Sequence, residues 1–313
     1  MTNFTKYNSI ENSYRERFTN QCLQLGVKEW VALEKIHGAN FGFISEGGEV
    51  TPFKRSSILG ADKNTGMYDF YGCNPIVEAC LAPIQDLETE LDQPIQVYGE
   101  LYGQGVQKEV TYGPKAFLVF DILLLDDDIY MDWDDVVRLC RSVGLNTAPE
   151  LARGSLEELL KISPERESIV AKEAGHSSMT EGHVIKQLRN DSFLPSGSRA
   201  ILKVKSKAFS EKRDKVKTKQ PQSIPEHLLE VVETFYQYLT RNRLLNVLSK
   251  FGTVTQKDFG KIQGLFVKDA LEDFQKDGNM IEKDDWKKVS KIVGKAASQV
   301  IREDWLNIID GNI

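Results

Sequence analysis

Glu34-Lys35-Ile36-His37-Gly38-Ala39-Asn40 is the stretch on which the reading of this chain turns. It puts a lysine at the end of an apolar strand, a glycine in the adjoining turn, and a second strand from Ala39 onward. A lysine so placed stands at the edge of a sheet and is aimed into a cleft rather than at bulk water. Lys-x-x-Gly by itself is an ordinary turn sequence; its company gives it meaning. Short runs rich in β-branched and aromatic residues predict strands over 29–34, 39–45, 50–54, 95–101, 116–125, 182–187 and 200–204. Helical periodicity predicts helices over 10–25, 74–87, 133–143 and 156–161. Strands follow one another without a regular crossover helix, so the expected class is α+β with antiparallel sheets, not a doubly wound parallel sheet.

Beyond these elements the character of the chain changes. Between 203 and 219 it holds eight Lys/Arg against two acids, and Pro221 and Pro225 then punctuate the chain. From residue 226 the pattern is helical: Leu228, Leu229, Val232, Phe235 and Leu239, then Phe259, Ile262, Phe266 and Ala270, recur at steps of three and four. Thr255 is placed to cap one of these helices and Gly252 to stop the one before it. The expected organisation is a first domain over 1–220 ending in a basic hinge, then an all-helical domain over 224–313 large enough to fold around its own core. The whole chain has 313 residues, 41% apolar and 27% charged, with a net charge of −6. That balance excludes a uniformly basic nucleic-acid coat but not a local basic groove. No apolar run approaches the ~18–20 residues needed to span a bilayer, and the first residues lack the apolar core of an export signal. Cys22, Cys73, Cys80 and Cys140 form no Cys-x-x-Cys pair, which argues against a disulfide framework and structural zinc. A reducing cytoplasm is the expected compartment.

Five further blocks accompany the lysine. Lys54-Arg55 ends a strand, and Tyr98-Gly99-Glu100-Leu101 sets a carboxylate beside a glycine. Phe117-Leu118-Val119-Phe120-Asp121 is a buried run that closes on an acid. Glu181-Gly182-His183-Val184-Ile185-Lys186 brackets a short strand with an acid and a lysine. In Leu202-Lys203-Val204-Lys205 the alternation of a strand sends both lysines to one face. In this order and spacing the set resembles the covalent nucleotidyltransferases, the superfamily of nucleic-acid ligases and mRNA capping enzymes. It is most similar to the bacteriophage RNA ligase 2 family. Lys207-Ala208-Phe209-Ser210-Glu211-Lys212, Lys6-Tyr7-Asn8-Ser9-Ile10-Glu11-Asn12 and Asp258-Phe259-Gly260-Lys261 extend the likeness over nearly the whole chain. Two positions depart from it: Ala39 stands where members often carry a hydroxyl, and Leu33 where a basic residue occurs.

The resemblance implies an antiparallel-sheet nucleotidyltransferase (ATP-grasp-like ligase) domain followed by a small all-α domain. It also implies an ATP-dependent RNA ligase, acting as a monomer on nicks in duplex RNA or RNA–DNA hybrids. In such enzymes a lysine takes AMP from ATP, the AMP passes to an RNA 5′-phosphate, and a 3′-hydroxyl then displaces it. Lys35 is the implied nucleophile. A lysine amine, with a reference pKa near 10.4, is neutral in only about one copy in a thousand near pH 7.5. Neighbouring cations favour the neutral form and spread charge on the phosphates, the part given to Lys203, Lys205 and a divalent metal, Mg²⁺ or Mn²⁺. Phe120 is expected to stack on adenine, Glu100 to accept from ribose hydroxyls, and Arg55 to donate to ribose or phosphate. Glu181 is the expected metal residue. Asn40 and Lys186 are assigned to metal water, phosphate or the RNA end, and His37 to a step after adenylylation or to ordering the turn. Tyr7, Glu34 and Ile36 are expected to line the nucleotide pocket, and Arg243 in the helical tail to meet a nucleic-acid phosphate. His176, His183 and His227, which lack ligand spacing, are expected to be surface or core residues. The acidic run from Asp126 to Asp135 reads as a solvated turn leading into a helix. Two other readings stay open: a DNA ligase or capping enzyme, which commonly adds a β-rich OB fold where this chain is helical, and a non-catalytic RNA-repair scaffold.

Overall fold

The computed structural model describes residues 4–212 and 224–311, so Arg213, Lys215, Lys217 and Lys219 of the basic stretch lie outside the described residues. The chain divides into two compact units, Met1–Ala208 and Phe209–Ile313. In chain order the first contains β1 (Glu11–Asn12), α1 (Glu16–Gln24), β2 (Trp30–Glu34), β3 (Ala39–Glu46), β4 (Glu49–Lys54), β5 (Ser57–Ile58) and α2 (Asn74–Leu91). Next come β6 (Ile95–Tyr102), β7 (Ala116–Leu124), β8 (Ile129–Tyr130), α3 (Trp133–Ser142), β9 (Glu150–Gly154), α4 (Leu156–Leu159), α5 (Ile169–Glu173), β10 (Gly182–Gln187) and β11 (Ile201–Lys205).

These strands form two sheets, ordered β1-β11-β10-β2-β9 and β5-β4-β3-β6-β7-β8. Every pairing is antiparallel except β1 with β11. The α+β class read from the sequence is therefore the class of the fold. β2 and β3 belong to different sheets, so the Lys35 turn is a junction between them. Gly38 makes that junction possible: a Cβ there would lie 2.2 Å from the carbonyl oxygen of Leu101. In the core, Phe41 and Phe43 of β3 meet Phe117 of β7 edge to face, under Val77 and Ile84 of α2 and Val136 and Leu139 of α3. Phe117 is thus a core residue. Leu33 and Ala39, the two departures from the family pattern, are buried in this same core.

The first helix is shorter than its periodicity predicted. Glu11 and Asn12 pair with Leu202 and Lys203, and the Ser13 N–H bonds to the Lys203 carbonyl at 3.0 Å, so helix α1 begins only at Glu16. Strands β1, β5 and β8 hold two residues each and leave no periodic trace in the sequence.

Among the described residues the second unit has helices and no strand: α6 (Leu229–Tyr236), α7 (Arg241–Phe251), α8 (Phe259–Lys276) and α9 (Lys283–Ile309). Its own core includes Val232, Phe235, Phe266, Phe274, Val293 and Ile301. Gly252, at φ +92°, ends α7 as expected. Thr255 acts as the expected cap, its N–H and hydroxyl both donating to the Asp258 carboxylate.

Candidate active site

The pairing of β2 with β10 sets His183 opposite Glu34, which brings Glu181, just before β10, beside Lys35, just after β2. The Lys35 N–H bonds to the Gly182 carbonyl at 3.0 Å. Gly182 sits at φ +145°, and a Cβ there would be 2.0 Å from the Val204 oxygen; only glycine lets β10 enter so tightly against β11. Lys205 lies opposite Gly182 in that pairing. One carboxylate thus gathers three cationic side chains. Lys35 Nζ is 2.8 Å from Glu181 Oε2, Lys205 Nζ is 2.8 Å from Oε1, and His37 Nδ1 is 3.2 Å from Oε2. The Glu181 side chain is only 2% exposed, whereas that of Lys35 keeps 20%. Burial pushes the Glu181 carboxyl up, but Lys205, Lys35 and His37 outweigh it and hold the group well below the usual carboxylate range. Lys203 stands two residues before Lys205 on the same strand, and alternation gives both lysines one face.

His37 is held from both sides. Its Nε2 lies 2.9 Å from Glu109 Oε2, and its backbone N–H donates to the Tyr112 hydroxyl at 2.9 Å. Burial alone would lower its pKa; the hydrogen bonds to Glu109 and Glu181 win and raise it. Glu109 and Tyr112 were not found by the sequence reading, because they sit in the irregular segment between β6 and β7, where no periodicity marks a side chain's direction.

Lys35 opens onto a cleft between the two sheets, lined by Tyr7, Glu34, Ile36, Glu100, Phe120 and Lys186 among others. Glu100 on β6 lies opposite half-buried Asn40 of β3. Burial raises the Glu100 carboxyl to about 7, with Lys35 opposing the shift and Glu181 adding to it. Burial lowers the pKa of Arg55, in the turn after β4, against the attraction of Glu100. Phe120 presents a partly buried ring to the cleft, edge-on to Tyr7 at 4.9 Å between centroids.

Behind Phe120 lies a buried polar group whose full extent the sequence did not disclose. Asp121 Oδ2 accepts from the Tyr7 hydroxyl at 2.8 Å and from Arg199 at 2.9 Å. Lys186 Nζ is 3.2 Å from Asp121 Oδ1 and donates to the Phe120 carbonyl at 2.7 Å. Burial lowers the Lys186 amine to about 8 against the pull of Asp121. Lys186 and Tyr7 are thus in the cleft wall, Lys186 holding the Phe120 backbone and Tyr7 packing against its ring. An acid within the apolar strand β7 was the available signal for this network, since a buried carboxylate must be paired. Glu34 lines the cleft, but its carboxylate accepts from the Ser168 hydroxyl and from the Ile169 N–H at 2.8 Å, capping α5.

Arg243 is not where the sequence reading put it. Its side chain is 0% exposed, and its guanidinium donates to the Tyr238 carbonyl and to the carboxylates of Asp269 and Asp273. It ties α7 to α8 inside the helical unit and offers no surface to a phosphate. His183 is buried in β10, and His176 and His227 are exposed. Among the described residues no group of three or more His, Cys, Asp or Glu side chains is arranged to hold a metal ion. A single carboxylate such as that of Glu181 is compatible with the way Mg²⁺ is usually held, through one or two carboxylates, waters and substrate phosphates. No described helix is long and apolar enough to cross a membrane.

Comparison with known proteins accords with this geometry. The family model described as RNA ligase matches residues 28–205, and that described as T4 RNA ligase 2 C-terminal matches residues 222–299. The mitochondrial RNA-editing ligase 2 of Trypanosoma brucei brucei is 27% identical over 88% of this chain and 83% of its own length. RNA-editing ligase 1 of the same organism is 26% identical over 81% of this chain and 71% of its own. Solved structures of the Naegleria gruberi RNA ligase, one with PPi and another, of a point mutant, with ATP and Mn, align at TM-score 0.49 and 15% and 16% identity. Each covers 66% of this chain, which spans 57% of the Naegleria chain. Since the first of these family models takes in more than half of its residues and the second most of its helical unit, the chain belongs to the RNA ligase family, in the branch of T4 RNA ligase 2.

Proposed function

We propose that this ATP-dependent RNA ligase seals 3′-hydroxyl/5′-phosphate ends, with nicks in duplex RNA or RNA–DNA hybrids as its preferred substrate. The observation that carries the reading is the meeting of Lys35, Glu181 and Lys205 at the mouth of a cleft lined by Glu100 and Phe120. The Lys35 amine leaves Glu181, gives up a proton and attacks the α-phosphorus of ATP; a P–N bond forms as the bond to pyrophosphate breaks. An RNA 5′-phosphate oxygen then takes the AMP from the lysine, and a neighbouring 3′-hydroxyl oxygen attacks the activated 5′-phosphate and expels AMP. Lys203 and Lys205 balance charge on the phosphates, Phe120 stacks on the base, and Glu100 and Arg55 hold the ribose. A divalent cation, Mg²⁺ or Mn²⁺, held with Glu181, supplies further positive charge to the phosphates. Lys186 lines the same cleft beside Phe120, Asn40 stands opposite Glu100 in the pairing of β3 with β6, and His37 orders the turn through Glu109. The first unit carries adenylyl transfer and the helical unit engages nucleic acid, in a cytoplasmic setting that suits four free, buried cysteines. Incubation with labelled ATP and Mg²⁺ is expected to leave AMP on the protein but not on Lys35→Ala; labelling of that variant would refute the assignment. Sealing of matched nicks with RNA or DNA on each side of the break reads out the substrate.

A further inference from the structure

With Arg243 buried, the helical unit needs another surface if it is to meet RNA. The longest helix, α9, offers one. From Trp286 to Arg302 the sequence contains no acid, although the chain as a whole carries a net charge of −6. Within that span Val289, Val293, Ala297 and Ile301 are buried in the unit's core, while Lys287, Lys288, Lys291, Lys295 and Arg302 are exposed. At 3.6 residues per turn, Lys288, Lys291, Lys295 and Arg302 share the face opposite the buried row. Lys288 to Lys295 climbs about 10 Å, and Arg302 stands about 10 Å beyond.

Of the unit's other cations, Lys212 is paired with Asp277, Arg241 with Asp304 and Lys250 with Asp269, while Lys257, Lys261 and Lys268 of the segment 257–268 are exposed but do not form a row on α9. Among the described residues Lys287, Lys288, Lys291 and Lys295 make no ion pair. Of the acids flanking the stripe, Asp285 faces His227 and Asp304 faces Arg241, while exposed Asp284 stands one turn before Lys288 on the same face. Like charges three and four residues apart repel one another on a helix, and Asp284 is within a turn of Lys287 and Lys288 but not of Lys291 or Lys295. A polyanion laid along the stripe would relieve that repulsion over its whole length. Single-strand binders interleave cations with stacking aromatics, but Trp286 and Trp305 pack against the unit's core. The apolar face of α9 is likewise taken up by the core, leaving Leu306 as its exposed large apolar side chain, too little to insert the helix into a lipid surface.

We propose that the Lys288–Lys291–Lys295 face of α9 docks the phosphodiester backbone of the RNA duplex being sealed, an inference that rests on the ligase reading. The test uses the full chain with Lys288→Gln, Lys291→Gln and Lys295→Gln combined, titrated with a fluorescent nicked RNA duplex across a salt series. Affinity is expected to fall at least about tenfold at 50 mM salt, and the slope of log K against log salt to become shallower by about 2–3. A comparator with Lys257→Gln, Lys261→Gln and Lys268→Gln is expected to keep the wild-type slope. An unchanged slope in the α9 variant, the behaviour of a merely solvated face, overturns the proposal; so does an equal loss in the comparator, which would assign the effect to bulk charge. If the wild type neither binds nor seals RNA, the ligase reading fails. If it seals and the α9 variant binds equally well, only the docking face does.

Discussion

Glu100 shows what burial does to a single residue at this site. An unfolded glutamate ionises near 4.5, whereas burial moves this one to about 7 in the folded chain. The folded state therefore binds a proton that the unfolded state has released, and stability falls as pH rises between those values, with the full loss present above pH 7. Glu100→Gln removes the titration. It is expected to raise the melting temperature more at pH 8 than at pH 5, by the equivalent of about 1–3 kcal/mol, while slowing lysine adenylylation. Equal shifts at the two pH values would contradict the buried assignment. Lys35, Glu181 and Lys205 were legible in the sequence through the resemblance of their blocks, in order and spacing, to those of the RNA ligase 2 family. Glu109 and Tyr112 were not, since an irregular segment gives no rule for where a side chain points.

At the scale of elements, Arg243 is the instructive case. Its place at the start of α7, in a polar Arg-Asn-Arg stretch, suggested a surface cation, yet the crossing of α7 and α8 buries it between Asp269 and Asp273. Arg243→Met takes the buried guanidinium away from Asp269, Asp273 and the Tyr238 carbonyl and is expected to cost the helical unit about 3 kcal/mol, seen as a lower unfolding temperature. Loss of RNA affinity at unchanged stability would instead restore the phosphate-binding role. A similar override shortens α1: residues 10–15 have helical spacing, but parallel pairing with β11 takes Glu11 and Asn12 first. Local preference is weak beside a ladder of backbone hydrogen bonds.

For the whole molecule, the two units have separate cores, which makes the division of labour testable. Residues 1–223 are expected to form lysyl-AMP with ATP but to seal a nicked duplex at least about tenfold more slowly than the full chain, the cost of about 1.4 kcal/mol of lost RNA engagement. Full sealing by the shortened chain would contradict that division. The sequence by itself determined the antiparallel α+β class and the helical second unit, because strand alternation and helix periodicity are local properties of the chain. The charged groups of the candidate site were singled out by the likeness of their blocks to the RNA ligase 2 family, which is also carried by the linear sequence. Only the tertiary structure decided which of those groups touch: that Glu181 holds Lys35, Lys205 and His37 together, that Asp121 anchors Tyr7, Lys186 and Arg199, and that Arg243 is enclosed. These are contacts between residues tens to more than a hundred positions apart. They are set by sheet register and helix crossing, and no local pattern encodes either one.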